Sequence, residues 1–248
     1  MLFQIKLAGK IVEIQSVYEL IYIFCSRYVI ADEQLFVPDI IVKIEQADID
    51  REMSRLVLLK QKGYFDNSIY DPGRVEITVA HKKIVEAMLQ FDTILMHGSV
   101  IAVQGNGYMI SAPKGVGKST RTDMWIKNIP DSIVVNGDKP LIKVTPESVY
   151  ACGSPWAGKE GWETNISVPL RAILVLERTN ENEKGSIEEL SIKDAFSALV
   201  SQTYQLSEPE SIMKTLRLLK SFQGKLKVYR YRSALTVEDV LMAYGAVK

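Results

Sequence analysis

Two cysteines, two histidines and no net charge are the first constraints that this chain sets. Cys25 and Cys152 cannot build a disulfide framework, and with only His81 and His97 beside them no CxxC or Cys/His metal spacing can be assembled. A histidine-rich zinc site is excluded, and a Cys–His nucleophile is disfavoured. Lys plus Arg and Asp plus Glu number 30 each, so there is no global basic field to hold nucleic acid and no acidic tail. No apolar run reaches the roughly 20 residues needed to span a bilayer. The longest candidate, residues 20–29, is broken by Arg27. Lys6, Lys10 and Glu13 interrupt any signal-peptide core. The expectation is a soluble, cytoplasmic, reduced protein with neither nucleic acid nor membrane as a partner.

What the chain does have is an ordinary globular composition, 47% hydrophobic and 24% charged over 248 residues. That is enough to close a core without metal or disulfide staples. Residues 3–15 read as two strands about a turn at Gly9, residues 17–29 as a buried helix, and residues 39–45 as a strand. A loop follows at 64–71, ending in the turn Asp71-Pro72-Gly73. The span 74–91 is helical over its second two-thirds. Residues 100–110 are two apolar runs separated by Gln104-Gly105-Asn106-Gly107, in which Asn-Gly is the hairpin signal, because a tight primed turn needs positive φ. A helix at 118–128, a strand at 131–136, a long loop at 151–169 and a buried strand at 170–177 come next. A polar turn at 179–186, helices at 191–201 and 208–222, and a strand at 226–232 complete the middle. Thr236 caps a last helix, with Asp239 at its third position. No repeat or linker divides the chain. The softest boundary gives a small N-terminal α/β portion, 1–72, and a larger portion, 73–248.

The strongest chemical signal is Ala112-Pro113-Lys114-Gly115-Val116-Gly117-Lys118-Ser119-Thr120. It matches the end of the phosphate-loop pattern GxxxxGK[ST], with Ala112 where the first glycine would stand. Gly115 and Gly117 let successive N–H groups turn inward as an anion nest, and the following helix adds its positive end. Lys118 would reach the β- and γ-phosphates of a nucleoside triphosphate, Ser119 would offer its hydroxyl to Mg2+, and Lys114 would add a second cation. The strand feeding this loop is the second arm of a hairpin and so antiparallel to its neighbour. The core sheet is therefore expected to be mixed or antiparallel, not the doubly wound parallel type.

Some twenty residues on, the apolar strand Val134-Val135 ends in Asn136-Gly137-Asp138-Lys139-Pro140. Asp138 stands where an acid could order Mg2+, accept a proton from an attacking hydroxyl, or simply make a turn. His97, at the entry of the hairpin, is either a proton relay near the γ-phosphate or a group tying a strand end. The loop 152–165 is too long for a plain connector. In it Lys159 could neutralise charge on the transferring group, Glu160 could bind metal, and Trp156 or Trp162 could stack on a base, wall the acceptor or anchor the loop.

The run HGSVIAVQGNGYMISAPKGVGKST followed by VVNGDKP resembles the HPr kinase/phosphorylase-like family, whose nucleotide core is related to that of phosphoenolpyruvate carboxykinases. The resemblance covers residues 93–178 and implies an α/β (α+β) fold with a phosphate loop on a mixed or antiparallel sheet. It implies ATP and Mg2+, with transfer to a serine hydroxyl. By position, His97 matches the histidine before the hairpin, Gly115 to Thr120 the phosphate loop, and Asp138 the catalytic acid. Lys139 stands where the family has a second acid, and Glu160 is the candidate replacement. The functional expectation is an ATP-dependent kinase acting on a serine of a protein, a peptide or free serine. The alternatives are a non-enzymatic ATP-binding sensor or scaffold and a carboxykinase-like small-molecule enzyme. Assembly of like copies is left open.

Overall fold

The structure, a computed structural model, describes residues 1–31, 35–62, 71–113, 115–177 and 184–248. Lys114 lies outside these residues, as do the expected loop at 64–71 except its last position and most of the expected turn at 179–186. The chain forms two compact units, Met1–Met88 and Leu89–Lys248.

In the first unit, β1 (Leu2–Leu7) and β2 (Lys10–Gln15) form a hairpin, turning at Ala8 and Gly9 with φ of 49° and 81°. The expected helix at 17–29 is only α1 (Leu20–Phe24) followed by a single 3-10 turn. Its β-branched and aromatic residues divide between inside and outside: Ile21, Cys25 and Tyr28 are buried, whereas Ile23 is exposed. The strand β3 (Ile40–Lys43) pairs in parallel with β2. The helix α2 (Gln46–Gln61) was not read from the sequence, although Glu45 and Asp48 form a reciprocal capping box at its start. The helix α3 (Pro72–Met88) starts at a proline, and Asp71 accepts from the Arg74 amide at 3.0 Å. It packs on α1, α2 and β3. Its packing therefore places it with the first unit, whereas the boundary drawn at 72/73 assigned it to the second.

The second unit carries β4 (Thr93–Leu95), β5 (Ser99–Val103), β6 (Asn106–Ser111), α4 (Lys118–Asn128), β7 (Ser132–Asn136), β8 (Leu141–Val144), β9 (Val149–Cys152) and β10 (Ser167–Glu177). There follow β11 (Ser186–Glu189), α5 (Ile192–Ser201), α6 (Pro209–Lys220), β12 (Lys227–Arg232) and α7 (Val237–Val247). The described strands join in the order β4-β8-β9-β10-β6-β5-β7, with β12 also beside β10 and β11 beside β12. The sheet is mixed: β5 is antiparallel to β6 and β7, while β10 runs parallel to β6 and β12. The long β10 curls it, because residues 167–169 pair with β9 and the rest with β6 and β12.

Side-chain alternation then builds two cores. Ile101, Val103, Tyr108 and Ile110 face α4 and α7. Val100, Ala102 and Met109 face α5, α6 and the β4-β8-β9 section. On the first side Trp125 of α4 is fully buried, against Tyr108 and Tyr244 with ring centroids at 6.1 and 6.0 Å. This packing holds α4, and so the loop before it, against the sheet; a buried aromatic of this kind is worth about 2–3 kcal/mol.

Candidate functional site

Strand β6 delivers the chain into residues 112–117, and α4 begins at Lys118. Gly117 is the N-cap residue of α4 with φ 96° and ψ 31°, and Gly115 has φ 84°. Both are left-handed, a conformation costly for any residue with a Cβ. The loop therefore turns tightly into the first turn of α4, where backbone N–H groups lack partners within the helix. The Val116 amide donates to the Pro113 carbonyl at 3.3 Å. Ser119 is half-buried in that first turn, and Pro113, Gly115 and Thr120 are exposed.

Arg121 braces the loop from behind, a role missed from the sequence because a buried arginine breaks the apolar pattern. It is 8% exposed, and donates to the carbonyls of Val116 at 3.2 Å, Gly117 at 3.4 Å and Ser233 at 3.1 Å. Burial lowers its pKa, with smaller opposing effects from Tyr231 and Asp239.

Opposite the loop, β7 ends at Asn136 and the chain turns through Gly137 to Asp138. Asn136 shapes this turn. Its buried Oδ1 accepts from the amides of Asp138 at 2.9 Å and Lys139 at 2.7 Å. Its Nδ2 donates to the Ser154 carbonyl at 2.9 Å, and the buried Ser154 hydroxyl donates to the Lys139 carbonyl at 2.7 Å. Gly137 is required here for space: a Cβ would lie 2.7 Å from the Ala157 carbonyl oxygen. Its own amide donates to the Trp162 carbonyl at 2.8 Å. Thus the loop 153–166 is laced to the end of β7.

The side chains of Lys118, Asp138 and His97 meet between these two turns. Lys118 Nζ donates to Asp138 Oδ1 at 3.0 Å and to the Gly137 carbonyl at 2.8 Å. His97 Nε2 lies 3.1 Å from the same Asp138 oxygen. Burial alone would raise the Asp138 pKa, but the His97 hydrogen bond and the Lys118 charge outweigh it and hold the carboxyl well below the usual carboxylate range. His97 is itself fixed by its backbone. Its amide donates to the Gln202 carbonyl at 2.7 Å, and its carbonyl accepts from the Ser111 hydroxyl at 2.7 Å. The Ser99 hydroxyl donates to the Gly137 carbonyl at 2.7 Å, so one carbonyl is shared by Ser99 and Lys118.

The loop residues divide. Lys159 has a side chain 90% exposed and touches only Glu160, at 3.9 Å, among its described ion pairs; it is not brought to the Lys118–Asp138–His97 group. Glu160 is nearer. A Cβ placed on Gly158 would lie 3.6 Å from Asp138 Cγ and 3.5 Å from Glu160 Oε2, so both carboxylates border one point. Trp156 is 8% exposed and anchors the loop, leaving no broad face to stack on a base.

The donor set suits the ligand that the loop suggests. A left-handed glycine turn, a helix N-terminus and an ammonium group fit a polyphosphate. The Ser119 hydroxyl with the Asp138 and Glu160 carboxylates offers hard oxygens of the kind Mg2+ takes alongside phosphate oxygens. Among the described residues no group of three His, Cys, Asp or Glu forms a ready-made metal cage.

No protein-family model matches the chain. No curated protein matches it either. Among solved structures it is similar to the HPr(Ser) kinase/phosphatase from Coxiella burnetii, with a TM-score of 0.28 and 11% sequence identity over 52% of this chain and 88% of that one. A likeness this low carries no inference about the site. Among the described residues no helix is long and apolar enough to cross a membrane.

Proposed function

We propose that this chain binds a nucleoside triphosphate, ATP, on the loop 113–120 and transfers its γ-phosphoryl group to a serine hydroxyl of a protein, a peptide or free serine. The observation that carries this reading is the convergence of Lys118 Nζ and His97 Nε2 on one Asp138 oxygen, directly beside the N-terminus of α4. Lys118 would exchange its bonds to Asp138 and Gly137 for phosphate oxygens. Asp138, released from that ammonium, would accept the proton of the attacking hydroxyl, with His97 holding its carboxylate and relaying the proton. The serine oxygen forms the new bond to phosphorus, and the bond to the bridging oxygen breaks, leaving its electron pair on the diphosphate. Mg2+, held by Ser119, Asp138 and Glu160, would neutralise phosphate charge. Lys159 would have to turn inward from its exposed position to contribute.

A second reading has its own support. Lys139 stands where the resemblance implies a second acid. This favours a sensor or scaffold that binds ATP without consuming it. No residue described at the site favours the carboxykinase-like reading. Label transfer from γ-labelled ATP to free serine and to serine-containing peptides separates the first two. The kinase reading predicts Mg2+-dependent transfer that Lys118→Ala abolishes. ATP binding with neither transfer nor hydrolysis would establish the sensor instead.

A further inference from the structure

A second concavity lies on the opposite side of the sheet from α4 and uses none of the residues above. It has a volume of about 720 Å³ and is enclosed by α5, α6, the turn after α6 and the start of β12. Its floor is closed and apolar: Leu199, Phe222 and Val228 are 4, 2 and 6% exposed. Phe196 and Leu226, half-buried, line it as well. This is the size and lining of a small-molecule site, about 300–1,000 Å³ and mostly apolar.

The charge around it is one-sided. Arg171, Lys193, Lys220, Lys225 and Lys227 line the concavity, against one acid, Glu189. Three of these cations are engaged: Arg171 donates to Asn106 Oδ1 at 2.7 Å, Lys225 to the Thr145 carbonyl at 2.7 Å, and Lys227 pairs with Glu189 at 2.8 Å. Lys193 and Lys220 are exposed and have no ion-pair partner among the described residues. An apolar floor under two exposed ammonium groups that no described acid pairs selects for an apolar body carrying an anionic head.

We propose that this concavity binds a small amphipathic organic anion. The aliphatic or aromatic body would lie on Leu199, Phe222 and Val228, and a carboxylate, sulfonate or phosphate would sit between Lys193 and Lys220. The site stands independently of the nucleotide reading, since it shares no residue with it.

The test is calorimetric titration of the full chain with decanoate below its micellar range, with decanol as the same body without charge and acetate as the charge without the body. The expected result is saturable one-to-one binding of decanoate, with decanol weaker by about tenfold and acetate undetectable. The double variant Lys193→Glu/Lys220→Glu, two exposed positions that leave the core intact, should weaken decanoate by about tenfold and leave decanol unchanged. Ala195→Trp, which fills the concavity, should remove both ligands at an unchanged unfolding midpoint. Equal binding of decanoate and decanol, indifference to charge reversal, or no saturable binding would each overturn the proposal. So would concentration-dependent self-association that Ala195→Trp abolishes, which would give this face to a second copy of the chain. If Ala195→Trp does not fold, the charge-reversal comparison alone decides.

Discussion

Lys118 Nζ and Asp138 Oδ1 are 3.0 Å apart, joining the first residue of α4 to the turn after β7. The ion pair occupies the ammonium that a phosphate would need, so any polyphosphate must compete with Asp138 for it. Asp138→Asn keeps the shape and weakens this competitor. It is expected to bind ATP without Mg2+ at least as tightly as the unaltered chain, while losing phosphoryl transfer with Mg2+ by a factor of about a hundred or more. Titration and label transfer on the same preparation check both halves. A large loss of ATP affinity with transfer intact would contradict the assignment.

The His97 hydrogen bond and the Lys118 charge on Asp138 make stability depend on pH. The folded pKa of Asp138 lies below its ordinary value of 3.8. The folded chain thus stays ionised where the unfolded chain takes a proton. The stabilisation is complete above the unfolded pKa and is lost as pH falls through the folded one. Denaturant unfolding from pH 7 downward should show the unaltered chain more stable than Asp138→Asn by about 1–3 kcal/mol near neutrality. The difference should start to shrink only below about pH 4 and should keep shrinking as pH falls toward the folded value. Parallel curves across the range would mean that the carboxylate is not held ionised by its partners.

Gly117→Ala tests the geometry of the loop. The substitution meets both a φ of 96° and the guanidinium Nη1 of Arg121. It should cost about 1–3 kcal/mol and weaken ATP binding at the same time, because the brace and the nest share the displaced backbone. Arg121→Lys, which keeps the charge and loses the fork, should weaken ATP binding without matching that loss of stability. Calorimetry and thermal unfolding on the two variants make the comparison.

Gly137→Ala addresses the loop 153–166. The added methyl would meet the Ala157 carbonyl at 2.7 Å, a backbone atom that cannot swing aside. The expected outcome is a destabilisation of about 1–3 kcal/mol and loss of transfer exceeding the loss of ATP affinity, since the Gly137 carbonyl positions both Lys118 and Ser99. Ser154→Ala removes the buried hydroxyl under the same turn and should cost a similar amount. Unchanged transfer rates in both variants would separate this turn from the chemistry.

Much of this site was legible because its signals are local. The helix at 118–128 falls on the residues read from the sequence, since a glycine pair and a Lys-Ser start mark it. The hairpin was legible, and with it the antiparallel neighbour of β6, but the Asn106-Gly107 pair taken as its turn opens β6, and the turn falls on Gln104 and Gly105 with φ of 49° and 77°. Asp138 was legible as an acid at a strand end. Other parts were not legible because they are held from far away in sequence. The Gln202 carbonyl that fixes His97, the Trp162 carbonyl on Gly137 and the Ser233 carbonyl on Arg121 carry no local pattern. Asn136 was read only as part of a turn, although Asn-Gly-Asp is a sequence in which the asparagine oxygen collects the next amides. The strands β8 and β9 went unread because four-residue apolar runs beside turns are weak signals. For α2 the Glu45-x-x-Asp48 box was present, but its apolar stripe is thin, with Ile49 the buried apolar residue of the helix.

The account rests on polyphosphate binding at the head of α4. Titration of the full chain with ATP in the presence of Mg2+ tests it most directly. It predicts one saturable site whose affinity falls by about ten- to a hundredfold in Lys118→Ala, with the variant's unfolding midpoint close to that of the unaltered chain. Absence of binding, or equal affinity in a folded Lys118→Ala variant, would contradict it.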